Sequence, residues 1–153
     1  MKIRQVKLSD INDFIETYIR AYEELENYKY RTRKEIKNYF KWLYNRDKEG
    51  FVVAEEKDKS VGFAAGDANW INFEGKKVLE IHEIFVLPEF RKKGIGSQLL
   101  QYLLFYGVKK DKKLAELWVG KTNYKAINFY KKFGFKEAGE WGKWLRMIKS
   151  LNF

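Results

Sequence analysis

Apolar positions recur along this chain with two periods, and the switches between them mark its elements. Residues 2–8 (KIRQVKL) alternate apolar and polar, the period of a short strand. Ile11, Phe14, Ile15, Tyr18 and Ile19 are spaced for one buried helix face, with Ser9 placed to cap it. Thr32 and Glu35 have capping-box spacing ahead of a second helix. Ile36, Phe40 and Leu43 face inward on it, and Gly50 is its expected stop. Three strands of a meander are predicted at 51–55, 60–72 and 77–87, with turns at Lys57–Lys59 and Phe73–Gly75. Ile95, Leu99, Leu100, Leu103 and Leu104 form the stripe of a third helix, with Gly107 as its expected end. A strand at 114–119, a helix at 123–133 closed by Gly134, and strands at 135–138 and 145–149 complete the chain.

The order β-α-α-β-β-β-α-β-α-β-β predicts an α/β fold of the α+β type: a mixed, mostly antiparallel sheet with helices on both faces. A helix separates 77–87 from 114–119, so these two strands can run parallel. Ligands in such sheets sit at the carboxyl ends of neighbouring parallel strands, here between Val86 and Val119. No repeat, linker or low-complexity tract interrupts the chain, and residues 1–153 are expected to form one domain.

Composition narrows the chemistry. Apolar residues at 45% and aromatic residues at 18% argue against disorder. No run of apolar residues is long enough to span a membrane, and the N-terminus lacks a signal core, so a cytoplasmic protein is expected. Cysteine is absent and histidine occurs once, as His82. That removes thiolate chemistry and a covalent Cys intermediate, and no metal is expected. The net charge of +10 suits an anionic partner, but the lysines are scattered as on a solvated surface.

One cluster of cations is different. Arg91, Lys92 and Lys93 lead into Gly94, Ile95, Gly96 and Ser97, directly before the third helix. Such a loop aims several backbone amides at one point, where the helix dipole favours an anion. Phosphate or pyrophosphate is the natural guest. The spacing is neither that of a Walker loop nor that of the dinucleotide fingerprint, which needs a third glycine.

A second motif follows at 123–135, NYKAINFYKKFGF. The Arg91–Gly96 loop followed by the Asn123–Tyr130 helix resembles the GCN5-related N-acetyltransferase (GNAT) superfamily, over about Val78 to Phe135. The resemblance implies acetyl-CoA as donor. Its diphosphate would lie on residues 92–97 with Arg91–Lys93 nearby, and its pantetheine arm would lie along Phe85, Val86 and Leu87, with Asn123 in contact. Tyr130 matches the position that protonates the leaving thiolate. The acceptor would attack directly in a ternary complex, with an amide near Val86 as oxyanion donor. Its amine must lose a proton, and Glu80, His82, Glu83 or a water could take it. Glu83 is favoured as nearest the splayed strands. Strand parity puts Glu80 and His82 on one face and Glu83 on the other, unless a bulge intervenes.

The resemblance makes the first two helices and their connection the acceptor wall. Tyr22, Glu23, Glu26 and Tyr28 there suit a cationic amine, whether a polyamine or a peptide end. Trp70, Trp141 and Trp144 could line the same pocket or the core. A homodimer through the last strands is a further implication. Two alternatives stand beside this reading: a non-catalytic CoA-binding module of the same fold, and a nucleic-acid-binding protein, which leaves the paired motifs unexplained.

Overall fold

A computed structural model describes residues 1–151. Its strands are β1 (Lys2–Gln5), β2 (Phe51–Glu56), β3 (Lys59–Ile71), β4 (Lys77–Val86), β5 (Leu114–Gly120), β6 (Lys136–Trp141) and β7 (Trp144–Ser150). Its helices are α1 (Ile11–Ala21), α2 (Arg33–Arg46), α3 (Ile95–Lys109) and α4 (Tyr124–Lys132). The strands form one sheet in the order β1-β2-β3-β4-β5-β7-β6, antiparallel except for the β4–β5 pair. The mixed, mostly antiparallel sheet expected from the sequence is therefore present.

Each face of the sheet has its own core. Leu99, Leu100 and Leu103 of α3 and Ile127 of α4 pack with Leu79, Ile81 and Leu117 on one face. On the other, Phe14 of α1 is fully buried among Phe40, Phe51, Phe63 and Phe85, with ring centroids 5.2 to 5.8 Å away and edge-to-face geometry throughout. Burying such a side chain contributes about 1.5–3 kcal/mol.

A one-residue bulge in β4 decides which side chains reach which core. Ala65 of β3 pairs with Glu83 and Gly66 pairs with Ile81, leaving His82 as the extra residue. Before the bulge, Leu79 and Ile81 face α3; after it, Phe85 faces α1 and α2. The two-residue period is shifted by one position at this point.

Three predicted boundaries move, each for a local reason. Leu8–Asp10 is a 3-10 turn, so Ser9 caps nothing; the Asp10 carboxylate instead accepts from the Lys7 amide at 2.7 Å and from Arg4 at 2.9 Å. Helix α2 ends before Gly50 because Asp47 leaves the helix, its carboxylate accepting from the Gly50 and Ala68 amides and the Tyr106 hydroxyl. Helix α3 runs through Gly107 rather than stopping there. A Cβ at Gly107 would sit 2.8 Å from the Leu79 side chain, so the glycine serves close helix–sheet packing.

Candidate active site

The parallel pair β4–β5 is joined only at Leu79–Ala115, Glu80–Glu116 and Ile81–Leu117. Beyond these rungs β4 stays with β3 as far as Val86 and β5 stays with β7 as far as Gly120, so the two strands part. The split begins at His82 and Trp118, somewhat earlier than the Phe85–Leu87 stretch expected from the sequence. A cleft of about 1510 Å³ opens there.

One end of the cleft is the loop before α3. Lys92 and Gly94 have φ of 62° and 80°, a conformation that glycine adopts freely and that costs lysine steric strain. The α3 ladder starts with the Gln98 amide donating to the Gly94 carbonyl at 3.0 Å. The amides of residues 95–97 precede that ladder, at the positive end of a 15-residue helix. Phe85, Val86, Arg91, Lys92 and Gly96 line the cleft. Leu87, Lys93, Gly94, Ile95 and Ser97 do not contribute to that lining. Leu87 and Ile95 are core residues, and Lys93 lies over the Phe90 ring at 5.2 Å. The Arg91 guanidinium donates to the Ala21 carbonyl at 2.6 Å, which ties the loop to the end of α1.

Asn123 caps α4, its Oδ1 accepting from the Ala126 amide at 3.4 Å, and its side chain lines the cleft. About two α-helical turns further on, Tyr130 lines the same space between Phe129 and Phe135. Burial, with a smaller contribution from the Glu83 charge, raises its pKa, so it holds its proton at neutral pH.

The three candidate bases part ways. Parity predicted Glu83 opposite Glu80 and His82; the bulge overturns this, and Glu83 reaches the α1/α2 face. There it accepts from the Tyr22 hydroxyl and, at 2.7 Å, from the Tyr39 hydroxyl. Burial pushes its pKa up to about 7 against the opposing pull of the two phenols. His82 lies on the same face, its Nε2 2.9 Å from Asp67 and its ring edge-on to Trp42 and Trp70. Glu80 is buried outside the cleft lining, on the β4–β5 rung beside Glu116. Burial and the neighbouring carboxylate push it up to about 10, whereas Arg146, 2.5 Å from Glu116, helps hold Glu116 low.

The acceptor wall is equally selective. Tyr22 and Tyr28 line the cleft, with Glu24, but Glu23 and Glu26 do not; Glu26 is paired with Lys29 and Arg31 at 3.6 and 3.4 Å. Tyr28 crosses over Gly120, where a Cβ would come within 2.4 Å of its ring, and bonds the Thr122 hydroxyl at 2.6 Å. Lys143 of the β6–β7 turn donates to the Asn27 carbonyl, so the α1–α2 connection is fastened across the cleft at two points. Trp141 and Trp144 line the cleft, Trp141 while 77% exposed; Trp70 instead packs on His82 and under Arg46. Tyr39 went unremarked in the sequence. Its position beside Ile36, Phe40 and Leu43 on the α2 stripe was the available signal.

The glycine loop, the parted strands and a half-buried carboxylate with raised proton affinity now stand together. The model of the acetyltransferase (GNAT) family matches residues 11–135. The chain belongs to this family. An uncharacterized N-acetyltransferase of Archaeoglobus fulgidus is 52% identical over 131 residues, 85% of this chain and 89% of the relative. A crystal structure from Pyrococcus horikoshii OT3 superposes with a TM-score of 0.90 at 42% identity, covering 99% of both chains. An N-alpha-acetyltransferase of Sulfolobus acidocaldarius is 37% identical over 148 residues, 90% of this chain and 80% of that protein. The GNAT chain is thus an acetyltransferase.

Proposed function

We propose that this GNAT enzyme moves an acetyl group from acetyl-CoA to a primary amine by direct attack, with Glu83 as base and Tyr130 as acid. The observation that carries the reading is Glu83, half-buried at the cleft with its pKa pushed up to about 7 and aimed by two tyrosines. A general base works best when its pKa lies near the working pH. The donor's diphosphate takes the amides of residues 92–97, supported by Lys92 and the α3 dipole. Its pantetheine amides continue the β4 edge where β5 has left it. Asn123 contributes its side-chain amide to that arm.

The steps then follow from the chain's own groups. Glu83 removes a proton from the ammonium of the acceptor, directly or through one water. The free amine attacks the thioester carbonyl, whose developing oxyanion meets a backbone amide near Val86. Collapse expels the thiolate, Tyr130 gives it a proton, and the nitrogen gives up its second proton to the tyrosinate through solvent, leaving the amide. Glu80 already holds its proton at neutral pH and stays a structural acid. The N-alpha-acetyltransferase relative supports a peptide amino terminus as acceptor. The tyrosine wall also fits a small polyamine.

A transfer assay tests the reading, with thiol release measured across a panel of amines and peptide amino termini. Acetyl-CoA-dependent release with at least one amine, reduced about a hundredfold or more in Glu83→Gln, is expected. Cofactor binding without turnover on any amine would favour the non-catalytic module instead.

A further inference from the structure

Beyond the tyrosine wall lies a second recess of about 380 Å³, formed by Tyr30, Glu35, Asn38, Tyr39 and Trp42. Tyr30 and Tyr39 line both this recess and the main cleft. Tyr39 therefore serves two spaces, its hydroxyl on Glu83 and its ring in the recess. The Tyr30 and Tyr39 rings meet at 4.8 Å with a 49° tilt. Tyr39 and Trp42 lie nearly parallel, at 15° and 6.3 Å. Trp42 is fixed from behind, edge-on to His82 at 4.9 Å and to Trp70 at 6.2 Å.

These rings are set in place by the protein itself, yet Tyr30 and Trp42 remain 44% and 42% exposed. A carboxylate stands beside them. Glu35 Oε1 accepts from the Thr32 amide, the Thr32 hydroxyl and the Arg31 amide at 3.0 to 3.3 Å. Its Oε2 accepts none of these bonds. Gathered aromatic faces with an anion at the rim attract an organic cation. In a chain of net charge +10, the lining of this recess holds one carboxylate and no cation.

We infer that the recess is a second cation subsite, holding an ammonium or guanidinium group of the acceptor while the reacting amine lies at Glu83. This deepens the acetyl-transfer reading and rests on it. Two acceptor types carry such a pair of charges. One is a diamine or polyamine; the other is a peptide with a basic residue next to its amino terminus. Both present the second cation one tyrosine ring away from the first.

Matched acceptors test this: cadaverine against pentylamine, and dipeptide amides with lysine against norleucine in second place. The variants are Glu35→Gln and Trp42→Leu. Glutamine preserves the capping box, so Glu35→Gln removes the charge without removing the cap. Each variant is expected to raise KM for the doubly charged acceptors about fivefold and to leave the singly charged ones unchanged. Whether cadaverine or the lysine dipeptide shows the larger preference assigns the source of the cation. Equal KM for the doubly and singly charged members of each pair in the wild type would overturn the subsite while leaving acetyl transfer intact. If no amine turns over, calorimetry of cadaverine binding decides: binding weakened in Trp42→Leu supports the subsite, and no binding removes it.

Discussion

Glu83 is a carboxylate whose proton affinity, position and partners all come from its neighbours. In the proposed mechanism, replacing it by glutamine keeps the shape and removes the base. Turnover should fall about 10²–10⁴-fold with acetyl-CoA affinity unchanged. In the wild type, log kcat/KM for the amine should rise with pH and level off above about 7, the pKa of Glu83; steady-state profiles should show that limb lost in Glu83→Gln. The same group sets a stability cost. Unfolded, it titrates near 4.5; folded, near 7. Between those values the folded state holds more protons, so its stability falls as pH rises through the window. Glu83→Gln should therefore be the more stable protein at pH 8, by up to about 3 kcal/mol, measured by urea unfolding. Tyr130→Phe should lower kcat about 10- to 100-fold and leave both KM values nearly unchanged, because the proposed role of the hydroxyl is to protonate the leaving thiolate.

At the scale of elements, legibility followed periodicity. The stripes of α1, α2 and α3 and the Thr32–Glu35 capping box were all readable, because each is a local pattern. The left-handed Gly94 turn and the Asn123 cap are readable because each is set by one contiguous stretch of chain. What escaped depended on distant partners. Gly107 reads as a stop, yet Leu79 across the interface makes it an interior residue. The His82 bulge is invisible to parity, since only the β3–β4 register reveals it. Tyr39 looks like one more core aromatic until Glu83 arrives from 44 positions away. Gly107→Ala turns the packing argument into a measurement. A gain of helix propensity would predict stabilisation, whereas a Cβ at 2.8 Å from Leu79 predicts overpacking and a loss of about 1–3 kcal/mol by chemical denaturation.

For the molecule as a whole, the sheet divides the site. The α3 and α4 face supplies the glycine loop and Tyr130, and the α1 and α2 face supplies Glu83 and the tyrosines. Rungs join β4 to β5 only as far as Ile81–Leu117. Past that last rung the sheet has a window, and the proposed transfer crosses a wall that is otherwise continuous. Whatever hangs from the carbonyl must then occupy room on the amine's side. Lengthening the acyl chain from acetyl to propionyl to butyryl should make donor and acceptor compete for that room, with KM for the amine climbing at each added carbon while the affinity for the nucleotide end of the donor stays level.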